Sequence, residues 1–160
     1  MALSDVYSQR GTITLAATTS TAVFSLYGTA AKRLWLAGVR VKIGVTLAAA
    51  GNDITFTLAR PSATNTGTTL TSGVANDFSA PASLGQTCVT WSTAPIIGTT
   101  LAEWELPQTA GSMWEEFPPG GDEWGVPAVA NANANAGVHL FVQATSVQST
   151  VVRADFIWSE

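Results

Sequence analysis

From Leu34 to Leu47 the sequence alternates with a period of two. Trp35, Ala37, Val39, Val41, Ile43, Val45 and Leu47 fall on one side, and Arg40, Lys42, Gly44 and Thr46 on the other. A helix would spread these positions around its circumference, whereas extended backbone puts residues i and i+2 on one face. The pattern therefore predicts a long strand with Trp35 to Leu47 facing inward. Gly38 or Gly44 gives it a place to bend. No window of eleven or more residues has helical periodicity, and Ala48–Ala50 is too short to nucleate a turn.

Weaker alternation recurs along the rest of the chain. Thr12–Ala16 and Val23–Tyr27 read as short strands after an N-terminal arm of residues 1–11. Gly51-Asn52-Asp53 reads as a turn, returning the chain through Ile54, Phe56 and Leu58. Leu34–Leu47 and Asp53–Arg60 are thus expected to pair as a hairpin. Pro61–Gly67 and Asn76–Leu84 have loop composition, and Thr68–Thr71 is a candidate edge strand. Gln86–Trp91 puts Thr87, Val89 and Trp91 on one face and Cys88 on the other. Ala128–Ala136, AVANANANA, is low-complexity and fits an edge strand or a loop. In Val138–Thr145, Val138, Leu140, Val142 and Ala144 face one way, and His139, Phe141 and Gln143 the polar way. Val151–Trp158 directs Val152, Ala154, Phe156 and Trp158 inward.

Strands at this spacing, separated by Gly, Pro and Asn turns, predict an all-β antiparallel β-sandwich. About eight strands makes it jelly-roll-like, and a closed barrel or an immunoglobulin-like sandwich are the alternatives. The 160 residues are read as the arm and one domain over 12–160, with an irregular insert at 101–127.

Only 11% of the residues are charged, against about 25% in an average soluble domain. With 46% apolar residues, this points to a surface covered by partners, the alternative being a soluble all-β domain with a neutral Thr/Ser surface. The charges are also segregated. Between Arg60 and Arg153 there are seven acids and no base, while the remainder holds seven bases and four acids. Such asymmetry suits contacts between copies or with a charged partner. Seven basic residues do not make a nucleic-acid stripe, so no nucleic-acid partner is expected. Cys88 stands alone, which excludes an intramolecular disulfide and a cysteine zinc cluster. The first residues lack the pattern of a signal peptide, and no apolar stretch of about 18 residues exists. The expectation is a protein made in the cytoplasm with no membrane segment.

The insert, Leu101–Pro127, holds Trp104, Trp114 and Trp124 at intervals of ten residues, six acids and no base. Its tryptophans are candidates for core packing, a protein interface or a sugar platform. Pro107, Pro118, Pro119 and Pro127 stiffen it. The partner-binding candidates are Trp104, Trp114, Glu115, Glu116, Phe117 and Trp124. The basic residues Arg40 and Lys42, near Lys32 and Arg33, are the expected charge complement, on a neighbouring copy.

Catalytic signals are sparse. Glu103 and Glu105 lie about 6.5–7 Å apart if extended, a spacing glycoside hydrolysis can use. Solvent-facing acids flanking one buried tryptophan is the simpler reading. Glu115, Glu116, Asp122 and Glu123 lack calcium-loop spacing. His139 on the polar side of its strand is expected at the surface or an interface, and Cys88 as a small buried residue. No catalytic residue, metal or cofactor is predicted.

The N-terminal MALSDVYSQRG, the segment WEEFPPGGDEWGVPA and the terminal strand VVRADFIWSE, set in a Thr/Ala/Gly-rich all-β chain, resemble small virion proteins of tailed bacteriophages. The class is the capsid cement or decoration proteins. The resemblance implies a non-enzymatic homotrimer on the capsid exterior, bound where major capsid protein subunits meet and stabilising the shell. It carries no residue role across. A receptor- or carbohydrate-binding module of a head fibre or tail is the alternative, with a hydrolase third.

Overall fold

A computed structural model describes residues 5–15, 20–30, 33–43, 53–77, 79–107, 112–117, 124–126, 136–144 and 150–160. Fourteen strands follow in order. They are β1 (Val6–Leu15), β2 (Thr21–Tyr27), β3 (Leu34–Ile43), β4 (Asp53–Pro61), β5 (Thr66–Gly67), β6 (Thr71–Ser72) and β7 (Val74–Ala75). Then come β8 (Gln86–Cys88), β9 (Trp91–Thr93), β10 (Ile97–Pro107), β11 (Ser112–Glu116), β12 (Gly125–Val126), β13 (Val138–Ala144) and β14 (Thr150–Ser159). All pairings between them are antiparallel.

Sheet A has the order β11-β3-β14-β1-β7, with β12 also on β3, and sheet B the order β10-β4-β13-β2-β8-β6. The eight principal strands are β1, β2, β3, β4, β10, β11, β13 and β14. Numbered one to eight along the chain, they give sheet orders 6-3-8-1 and 5-4-7-2. These are the two four-stranded sheets of a jelly roll, in which successive strands cross between layers except for the fourth and fifth, which pair in one sheet, and the last lies inside a sheet. The predicted fold class is therefore observed.

The layers meet over Tyr7, Phe24, Leu36, Val39, Val41, Ile54, Phe56, Leu58, Leu140, Phe156 and Trp158, all buried. The inward sets predicted for β4, β13 and β14 are in place; the side chain of Ala144 alone lies outside the described residues. Phe24 stacks on Phe156 across the layers at 4.8 Å. Gly73 and Gly85 flank the Trp158 indole so closely that a Cβ on either would collide with it. The carboxylate of Glu160 accepts hydrogen bonds from Ser83 Oγ (2.6 Å), Gly85 N (2.9 Å), Leu84 N (2.9 Å) and Trp158 Nε1 (3.1 Å). The last residue thus fastens the loop before β8 to the end of β14.

Four expectations are corrected. The residues read as an arm are strand from Val6 onward, because β1 pairs with β14 along its whole length. The β3–β4 hairpin does not form: β3 pairs with β14 and β11, whereas β4 pairs with β10 and β13 in the other layer. A period-two pattern states which face is buried but not which strand lies alongside.

The facing of β3 also differs. Leu34 and Leu36 are buried, and Trp35 and Ala37 only half so. Register slips between Ile157 and Trp158, which sit opposite Gly38 and Leu36, leaving Ala37 without a counterpart. This β-bulge inverts the alternation, so residues before it face oppositely to those after. Finally, the insert is more regular than expected where it is described: beyond the strand expected over Thr99–Leu106, which is β10, it also forms β11 and β12 and passes from the edge of sheet B to the edge of sheet A. Asp122, Glu123 and all of Ala128–Ala136 except Ala136 lie outside the described residues.

Candidate functional site

The outer face of sheet A is an ordered grid of polar side chains. Register fixes its rows. Lys42 of β3 lies opposite Arg153 of β14, which lies opposite Thr12 of β1. In the next row Trp114 of β11, Arg40, Asp155 and Arg10 stand side by side. A third row runs through Glu116, Gly38, Ile157 and Ser8. Inward positions carry the core residues, so the alternation that builds the sandwich also gathers four cations outside. The surface is gently hollow. One depression of about 460 Å³ is bounded by Ser8, Gln9, Arg10, Arg40, Val74, Asn76, Asp155 and Ile157.

Electrostatics within this grid are uneven. Arg10 donates to both carboxylate oxygens of Asp155, at 2.7 and 3.2 Å. That pairing raises the Arg10 pKa further above its ordinary value. The Arg40 guanidinium lies 4.8 Å from the ring centre of Trp114, a cation–π contact. Trp114 Nε1 donates to Glu116 at 2.9 Å, and its ring edge closes over Gly38, where a Cβ would stand 3.1 Å from it. Trp114 therefore keeps one face outward, 41% exposed. Lys42 and Arg153 have only each other as cross-strand neighbours of charge.

Opposite this face, the outer side of sheet B is sealed over β2 and the adjoining parts of β4 and β13, while Glu103, Glu105 and Gln143 stay exposed toward the β10 edge. Trp91 and Ile97 pack over Ala22, Ala59 and Phe141. Beneath them two hydrogen-bond chains converge. Trp91 Nε1 donates to Ser25 Oγ at 3.1 Å, and Ser25 Oγ lies 2.6 Å from His139 Nδ1. His139 Nε2 lies 2.9 Å from the carbonyl of Ala136. A carbonyl only accepts, so the proton sits on Nε2, and Nδ1 accepts from Ser25. The second chain runs from the Tyr27 hydroxyl to Asn65 Oδ1 (2.7 Å), and from Asn65 Nδ2 to the same Ala136 carbonyl (3.2 Å). Gly137, at φ +84°, gives the backbone the left-handed turn that presents this carbonyl.

Burial pushes the His139 pKa down to about 4, against the opposing effect of its bond to Ala136. It also raises that of Tyr27 and lifts the Cys88 thiol to about 11. The expected surface position of His139 is thus corrected: the β5–β9 pair covers the face that alternation marked as polar. Ser25 and His139 are within hydrogen-bond distance, but both are fully buried. They form a structural link with no access for a substrate.

The predicted partner-binding residues separate into groups. Arg40, Lys42, Trp114, Glu115 and Glu116 are exposed on or beside the sheet A face. Because β11 pairs directly with β3, the insert meets Arg40 within one chain through Trp114 rather than through its acids. Phe117 is core, 6% exposed, with Trp124 stacked on it at 3.9 Å. Trp104 packs half-buried against the core between exposed Glu103 and Glu105. Cross-strand register adds Arg10 and Arg153, which the sequence reading did not select. Arg153 and Lys42 are each legible as outward-facing, but only the register makes them cross-strand neighbours. Among the described residues no cluster of His, Cys, Asp and Glu is arranged to hold a metal. No helix is long and apolar enough to cross a membrane.

No protein-family model matches the sequence, and no curated protein matches it. Among solved structures, the chain is similar to one from the structure of deformed wing virus carrying the GFP gene, with 13% identity and TM-score 0.41. That match covers 92% of this chain and 74% of the other. It is also similar to the decameric BFDV capsid protein, with 12% identity and TM-score 0.33 over 97% of this chain and 99% of that one.

Proposed function

We propose that this chain is a virion structural protein of the capsid cement or decoration type. It binds the outside of a head, contacts the major capsid protein and strengthens the shell, as a homo-oligomer with a trimer favoured. The observation that carries the reading is the contrast between its two outer faces. One side of the jelly roll is covered over much of its middle by the β5–β9 pair of its own chain, and the other presents an ordered, solvent-open grid with Trp114 and four cations. Jelly rolls are a common architecture of viral shells, although fold alone does not assign function.

The mechanism is burial of surface between subunits, at roughly 25 cal/mol per Å² of apolar area before the costs of association. Trp114 is the natural anchor, already oriented by Arg40 and Glu116. Low overall charge fits a surface that ends up covered. The alternative glycan-binding role needs a platform of exposed indoles. Trp114 is the one indole exposed among the described residues, with Trp91, Trp104 and Trp124 half-buried.

The test is co-sedimentation of the purified protein with capsid shells that lack it, together with its mass in solution. Saturable binding to the shell exterior, with raised resistance of the shells to heat, is expected. A protein that never sediments with shells and whose tryptophan fluorescence responds to glycans would replace this reading with the second.

A further inference from the structure

Lys42 and Arg153 stand directly opposite each other on β3 and β14, both exposed. Cross-strand partners have Cβ atoms about 5 Å apart, and like charges so placed destabilise a sheet. Among the described residues neither forms an ion pair or hydrogen bond. Of the carboxylates in the grid, Asp155 is committed to Arg10 and Glu116 accepts from Trp114 Nε1. Lys42 and Arg153, together with Arg40, border a depression of about 240 Å³. The arrangement is unfavourable alone and favourable once a carboxylate enters it.

We propose that Lys42 and Arg153 form a carboxylate-binding site that receives Glu103 and Glu105 of a second copy of this chain. The proposal deepens the oligomeric part of the preceding reading and rests on it. Glu103 and Glu105 project from one face of β10, the edge strand of sheet B, while Trp104 between them turns to the core. Their i, i+2 spacing, about 6.5–7 Å along a strand, equals that between the Lys42–Arg153 row and the Arg40–Arg10 row. Thr57 Oγ1 donates to Glu103 at 3.2 Å and helps to orient it. Glu105 makes no hydrogen bond or ion pair within the described residues.

The cationic row faces outward from sheet A and the acid pair outward from sheet B. One molecule cannot bring them together, so the pairing must occur between molecules. Two different surfaces meet, which makes the contact heterologous, and such contacts build rings or extended arrays. The net charge of −4 disfavours a polyanion such as nucleic acid as the occupant.

Sedimentation velocity on three proteins tests this: wild type, Lys42→Glu/Arg153→Glu and Glu103→Lys/Glu105→Lys. Wild type should self-associate at low salt and dissociate in about 1 M NaCl, where the screening length falls to about 3 Å. Each double variant alone should associate at least tenfold more weakly. An equimolar mixture should recover association, because the acidic face of one variant then meets the basic edge of the other. Unchanged melting temperatures of the variants, all altered at exposed positions, exclude misfolding as the cause.

A wild type that stays monomeric at low salt, or a mixture that stays monomeric, overturns the contact. Binding of heparin by wild type but not by Lys42→Glu/Arg153→Glu, without self-association, overturns it in favour of a polyanion. A monomer that still decorates shells would refute this contact and leave the capsid-binding reading standing.

Discussion

The outer faces of the two sheets obey opposite rules. On sheet B, Ser25, Tyr27, Asn65 and His139 are polar and wholly buried, and each has a hydrogen-bond partner. On sheet A, Arg10, Arg40, Lys42 and Arg153 are charged and open, and two of them oppose each other. Burial makes an unpaired polar group expensive, so the sheet B network must be complete. Solvent tolerates unpaired charge, so the sheet A face can stay incomplete until a partner arrives. Stability should therefore respond to changes beneath the β5–β9 cover of sheet B, and assembly to changes on the sheet A face and at the exposed β10 edge.

Removing the imidazole is the most severe way to break this contrast. His139→Ala leaves a cavity and takes one of two hydrogen-bond partners from each of Ser25 and Ala136, which should cost about 4 kcal/mol of unfolding free energy. Urea denaturation measures it. Self-association per folded molecule should be unchanged.

Acidification probes the same residue without mutation. Above the unfolded-state value, about 6.5, His139 is neutral in both states and its contribution is complete. Below it the unfolded chain takes up the proton first, because the folded value lies at about 4. Stability should fall as pH drops from 6.5 to 4, by about 3 kcal/mol from this group. Glu160 acts in the same direction at lower pH. Burial works to raise its pKa, but hydrogen bonds from Ser83, Leu84, Gly85 and Trp158 outweigh this and hold it down. Its contribution is lost as pH falls through that lowered value. Urea midpoints at several pH values, compared with His139→Gln, separate the two: the variant should lose the slope between 6.5 and 4 only.

Effects on sheet A should be small in stability and large in assembly. Trp114→Ala removes an exposed cation–π contact and should cost about 1 kcal/mol. Lys42→Ala relieves repulsion and should raise stability by a few tenths of a kcal/mol. Thermal melts beside sedimentation would show both. A loss of several kcal/mol from Lys42→Ala would mean that the grid is a structural device rather than a surface held ready for a partner.

Much of this contrast lay beyond the reach of the sequence. Period two identified the inward sets of β4, β13 and β14, because each is a regular strand with one apolar face. It misplaced Trp35, since one extra residue at Ala37 inverts the facing of β3 and leaves no compositional mark. It misplaced His139, since alternation cannot tell a polar face in water from one covered by Trp91 and Ile97. Arg40 and Lys42 were visible as a pair on one strand. Their neighbours Arg10 and Arg153 come from opposite ends of the chain, and only inter-strand register brings them together. The tryptophans of the insert looked equivalent by spacing. Packing divided them, with Trp114 outward, Trp104 inward and Trp124 against Phe117.

The central claim is that the outer face of sheet A is a working surface and that the part of sheet B beneath the β5–β9 cover is internal support. Hydroxyl-radical footprinting of the protein alone and in assembled particles tests it most directly. The account predicts new protection at Arg40, Lys42, Trp114 and Arg153, with Trp91 and Ile97 unchanged. Protection confined to Trp91, Ile97 and the rest of the β5–β9 cover, with the sheet A face still open, would contradict it.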